Sequence, residues 1–180
     1  LYSALLLLLF ALIIRGVAFE FRNKMEGEGW KKVWDTCMFL GSFLPALLLG
    51  VAFANIFKGI PINAEGVNEG SLFSLLNPYG LAGGVLFVLM FCYHGALWLA
   101  IKSQGEIHDR AVKTAKTLWP FFLGIAVLFL AATAVATDLY DNFFATPPLL
   151  AIPLLAVCCL ALTFIFLRSG SLWSAWATSA

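Results

Sequence analysis

Long apolar runs, broken by short charged or glycine-rich stretches, set the organisation of this chain. A helix needs roughly 20 apolar residues to cross about 30 Å of hydrocarbon. Windows of that kind run from Leu1 to about Phe19, from Thr36 to Phe57, from Tyr79 to Ile101, from Thr117 to Thr137 and from Pro147 to Leu167. Arg15 is the only Asp, Glu, Lys or Arg inside any of them. The last stretch, Ser169 to Ala180, reads SGSLWSAWATSA and has the small, Trp-bearing character of an interfacial entry into another helix. The expected fold is an all-α integral membrane bundle of five spans plus the start of a sixth.

Charge then orients the spans. Arg22, Lys24, Lys31 and Lys32 follow the first window, and Lys102, Arg110, Lys113 and Lys116 follow the third. Lys58 stands alone after the second, and Asp138 and Asp141 follow the fourth. By the positive-inside rule the two basic connections are cytoplasmic and the other two external, with Arg168 inside again. The connection 58–78 is the longest, rich in Gly, Asn and Pro, and is expected to lie on the outer membrane surface. It divides the chain into 1–57, the end of one bundle, and 79–180, the start of a second. Pro45, Pro120 and Pro153 interrupt apolar runs and are candidate kinks.

Composition narrows the function. Of the 180 residues 62% are hydrophobic and 12% charged, with a mean hydropathy of +0.93, so too few charges exist to wet the surface of a soluble globule. A soluble enzyme is excluded, and a net charge of +1 removes any electrostatic case for nucleic acid. Cys37, Cys92, Cys158 and Cys159 lie in apolar runs without metal-ligand spacing and read as small buried side chains. The chain opens at Leu1, already inside an apolar run, and reads as a piece of a longer protein.

No nucleophile elbow, P-loop, HExxH or dinucleotide fingerprint is present. Polar groups at membrane depth are therefore the candidates. Glu20, in IIRGVAFEFR, either snorkels to the interface and pairs with Lys24 one turn on, or faces the protein interior and passes protons. His94 shares a helical face with Trp98 and Lys102, beside the small residues Gly95 and Ala96. It either hydrogen-bonds a neighbouring helix or serves proton transfer near a cofactor edge. His108, in a charged connection, reads as solvated. Asp35 follows Trp30 and Trp34 at a membrane entry, where its carboxylate can cap the following helix.

Taken in order, RGVAFEFR, WDTCMFLGSFLPALLLGVAFAN, GIPIN, LNPYGLAGG and HGALWLAIKSQGEIHDRA resemble subunit II of the cytochrome bd-type quinol oxidases, over nearly the whole chain from Arg15 onward. The resemblance implies a respiratory oxidase of the bacterial inner membrane that oxidises quinol on the outer side and reduces dioxygen to water with cytoplasmic protons. It implies subunit I as partner, with haem b and haem d bound there and no cofactor on this chain. It implies two four-helix bundles for the whole subunit, with helices of the family lying outside this sequence. Glu20 matches the acidic position of the family's acidic–aromatic–Arg step, which is associated with a proton route, while His94 stays a candidate on the residues alone. A secondary transporter would show paired broken helices and polar midplane residues, and an unrelated membrane scaffold would lack the ordered motifs.

Overall fold

The computed structural model describes residues 2–59, 72–137, 139–141 and 151–179. Among them the regular structure is helical: α1 (Tyr2–Phe21), α2 (Glu28–Lys58), a 3₁₀ turn (Leu72–Leu75), α3 (Pro78–Lys102), α4 (Glu106–Ala136), α5 (Ala151–Ser169) and α6 (Leu172–Thr178). Four of these, α2 to α5, are long and apolar enough to cross a membrane. Most of the 58–78 connection, Asp138 and Pro147 lie outside the described residues.

The helices outrun the apolar windows at their charged ends. α2 begins at Glu28, two turns before Thr36, and α4 at Glu106, three turns before Thr117. Hydropathy marks where lipid ends, whereas a helix continues into water as long as its backbone bonds can propagate. The basic residues expected in loops therefore stand on helices: Lys31 and Lys32 on α2, and Arg110, Lys113 and Lys116 on α4. Only residues 103–105 separate α3 from α4, where Gly105 takes a φ of 66°, a region that favours glycine. Pro45 and Pro120 sit inside continuous helices. Pro153 is the third described residue of α5.

The chain divides into two compact units, 1–88 and 89–180, within α3. In the first, α1 and α2 pack antiparallel through small residues. A Cβ on Gly41 would lie 2.7 Å from the Ala11 carbonyl, and Ala11 and Ala18 are buried. The start of α3 crosses α2 just as closely: a Cβ on Gly50 would meet Gly83 O at 2.4 Å. Without a hydrophobic drive between helices in lipid, such close backbone approach supplies the packing energy. Asn55, buried beside this crossing, donates from Nδ2 to Val51 O (2.7 Å) and Leu75 O (2.8 Å) and accepts from Asn77 Nδ2 (2.8 Å). Asn77 Oδ1 in turn accepts the Gly80 N–H at 2.9 Å, capping α3.

The second unit is built on Tyr93, Ala96, Leu97, Ala115, Leu167 and Ala175, with Trp119 and Trp176 packed against them. Here α6 folds back on α5, and Thr163 Oγ1 and Thr178 Oγ1 lie 2.9 Å apart. The cysteines are not core: Cys92 and Cys158 are exposed and Cys37 and Cys159 half-buried, on helix faces that lipid or other helices would cover.

Candidate functional site

The first candidate, Glu20, stands one residue before the end of α1 and is exposed. Its carboxyl makes no ion pair with Lys24; the ion pair among the described residues is Arg22 with Asp35. Arg22 Nε reaches Asp35 Oδ1 at 2.5 Å and Nη2 reaches Oδ2 at 3.2 Å, a two-point fork between the α1–α2 connection and the α2 entry. Asp35 thus caps nothing: it sits two turns into α2, whose N-cap is Gly27. The hydrogen bond from Arg22 holds the Asp35 carboxyl below its ordinary range, against a smaller desolvation effect, and Asp35 raises Arg22 in return. Trp30 Nε1 donates to Phe21 O at 2.8 Å, and Phe21 stacks on Trp34 at 5.4 Å. Arg22 is therefore held by Asp35, while Glu20 stays open to whatever lies beside α1.

His94 belongs to the second unit. Its Nδ1 lies 2.8 Å from Ser179 Oγ, and that hydroxyl also lies 2.7 Å from Trp176 O. With the single hydroxyl proton donated to Trp176 O, Nδ1 carries the hydrogen that Ser179 accepts, which makes Nε2 the basic nitrogen. The face expected from sequence forms: His94 and Trp98 lie 5.0 Å and 5.1 Å from the Trp176 ring, and Lys102 Nζ stands 5.1 Å over Trp98 and 5.7 Å over Trp173. The α6 tail covers that face. Gly95 takes no part, since a Cβ there would meet nothing within 4 Å, whereas Ala96 is buried.

His108 is not simply solvated. It lies in the first turn of α4, half-buried, with Nδ1 2.7 Å from Ala100 O, and lines an open cleft of about 610 Å³ with Ser103, Gln104 and Ser171. Sequence reasoning passed over Tyr93, whose buried hydroxyl has no partner among the described residues, although its ring stacks on Phe122 at 5.9 Å. It also passed over Asn55; an amide inside the apolar run VAFANIF was the available signal. No three His, Cys, Asp or Glu side chains converge as a metal site among the described residues. Glu20 and His94 belong to different units.

The whole chain, residues 1–180, matches the family model described as cytochrome bd terminal oxidase subunit II. It is 38% identical over 158 residues to the cytochrome bd-I ubiquinol oxidase subunit 2 of Escherichia coli K12, covering 82% of this chain and 42% of that protein. It is 38% identical over 157 residues to the probable cytochrome oxidase subunit 2 of Haemophilus influenzae, with the same coverage. It is 35% identical over 167 residues to the cytochrome bd ubiquinol oxidase subunit 2 of Bacillus subtilis, covering 93% of this chain and 49% of that protein. The chain thus spans less than half the length of these relatives.

Proposed function

The chain belongs to the cytochrome bd terminal oxidase subunit II family, and from that premise we propose that it forms part of a membrane oxidoreductase that oxidises quinol and reduces dioxygen to water. The observation that carries this reading is the family match along the full 180 residues, joined to helices apolar enough to span a membrane. On this reading the chain sits in the bacterial inner membrane and packs against subunit I.

We count α1 as a crossing with α2 to α5, because its 20 residues rise about 30 Å, and α6 as the start of a sixth. Segments 1–57 and 79–180 then belong to successive bundles joined by the outer connection 58–78. The basic ends of α2 and α4 face the cytoplasm.

Haem b and haem d belong to subunit I on this reading and supply the electron transfer and oxygen chemistry. The histidines here support that division: His94 is held by Ser179 and packed on Trp176, and His108 Nδ1 is engaged with the Ala100 carbonyl at 2.7 Å. The role of this chain is assembly and proton supply. Glu20 takes protons near the basic side and delivers them toward subunit I; its exposed carboxyl, without an ion pair among the described residues, supports that role. His94 is the second proton-path candidate, with Nε2 as its basic atom.

The test is the absorbance spectrum of the intact purified complex together with its quinol-driven oxygen consumption. A haem d band in the red and oxygen uptake on adding quinol are expected. A complex that contains this chain but shows neither would overturn the reading in favour of a transporter or scaffold.

A further inference from the structure

The α4 and α5 helices leave between them a groove of about 430 Å³ whose lining is almost wholly apolar, including Trp119, Leu123 and Leu130 on one wall and Val157, Leu160 and Phe164 on the other. Its rim is open, since Val127, Val157 and Ile165 are each more than half exposed. At one end Trp119 stacks on Phe164 at 4.3 Å, and the Arg168 guanidinium lies over the same Phe164 ring, 4.3 Å from its centroid. That guanidinium is exposed and makes no hydrogen bond or ion pair among the described residues. The Trp119 indole N–H is buried without an acceptor among the described residues. On α4, Lys113 and Lys116 stand one to two turns before Trp119, with Asp109 the acidic residue that shares their cleft.

We propose that this groove holds one acyl chain of an anionic phospholipid, with the lipid phosphate resting on Arg168. The groove's volume lies near the bottom of the small-ligand range and its lining is apolar, which suits a single acyl chain. The charge selects the headgroup: a planar guanidinium without an ion-pair partner among the described residues complements a phosphate oxygen pair, and an anionic headgroup adds the net negative charge that a zwitterionic one lacks. An aromatic stacked under the guanidinium fixes its height at the headgroup level. The inference needs only the membrane reading and is independent of the oxidase chemistry, which the haem spectrum reports separately.

The test uses the intact complex with the full-length chain. Stripped of lipid and returned to vesicles of phosphatidylglycerol or phosphatidylcholine, the complex is expected to retain phosphatidylglycerol about fivefold better, the effect of one basic residue near a membrane surface, as read by native mass spectrometry. Arg168→Gln is expected to bring that ratio to about one, Arg168→Lys to keep most of it, and Ala161→Trp, which fills the groove, to lose both lipids. Equal retention of the two lipids by the unaltered complex, or an unchanged ratio in Arg168→Gln, would overturn the proposal. A benzophenone amino acid at position 157 in the otherwise unaltered complex decides the occupant even where a charge variant fails to assemble. An adduct of lipid mass supports the proposal, and a cross-link to a protein segment overturns it.

Discussion

Replacing Gly50 by alanine tests whether the α2–α3 crossing is held by backbone contact. The added Cβ would lie 2.4 Å from Gly83 O, 2.8 Å from Gly84 Cα and 2.8 Å from Phe87 Cβ. Two of those three atoms are backbone, so no rotamer change relieves them, and the helices must part by about 1 Å to reach ordinary contact. Such overpacking costs about 1–3 kcal/mol. Moving α3 with its Asn77 cap also stretches the two bonds that Asn55 makes to Leu75 O and Asn77 Nδ2, both 2.8 Å; within a membrane each is worth about 0.6 kcal/mol. Alanine returns about 1 kcal/mol through helix propensity. The net expectation is a loss of about 1–3 kcal/mol, or roughly a 5- to 150-fold shift toward the unfolded state. The control is Gly95→Ala on the same helix, where a Cβ meets nothing within 4 Å; it should be neutral or stabilising by up to about 1 kcal/mol. Titration of the full-length subunit with SDS in mixed micelles, followed by loss of helicity, reads both variants. Equal stability of the two alanine variants would refute the argument, because it would mean that α2 and α3 are not in backbone contact at this point.

Three further outcomes are expected. Because Arg22 lowers the folded-state pKa of Asp35, the pair stabilises the fold above the ordinary carboxylate pKa of about 4, and that contribution disappears as pH falls through the folded value. The melting-temperature gap between the parent and Arg22→Gln should therefore be present at pH 7, narrow on acidification and shrink with salt; a gap that persists unchanged at pH 3 would count against it. Glu20→Gln keeps shape but removes the titratable proton, whereas Glu20→Asp keeps the proton and loses a methylene. In complexes that retain their haems, the Gln variant should lose most quinol-driven oxygen uptake and the Asp variant keep most of it, while near-normal uptake in both would make Glu20 an interfacial residue. Cysteines placed at Lys31 and Arg110 should react with an impermeant reagent only after cells are opened, and one at Asp141 in intact cells. The opposite pattern would invert the orientation.

Hydropathy alone determined that these segments are membrane helices, because lipid imposes both length and apolarity on every crossing, and the windows around α2 to α5 each contain the observed helix or much of it. The family was legible for a related reason: the ordered motifs from RGVAFEFR to GEIHDRA are local strings that need no partner to be read. The His94, Trp98 and Lys102 face was legible as well, since positions four apart in a helix must align. What covers that face was not. Trp176 and Ser179 reach it through the turn after α5, some 80 residues along the chain, and no periodicity encodes such a contact. Helix ends were equally hidden, because the two turns of α2 before Thr36 and the three of α4 before Thr117 are polar residues held helical by backbone propagation outside the lipid. Asp35 shows the same limit. Its spacing suited a cap, but the fold brought Arg22 to it, and a charge-assisted fork outweighs a cap that the helix start at Glu28 no longer offered. Gly50 and Asn55 carry the last distinction: one glycine or one amide in an apolar run is a composition detail until a second helix arrives at 2.4 Å from where a Cβ would stand. Solvent selects which residues enter the membrane, and only the meeting of backbones decides which of them touch.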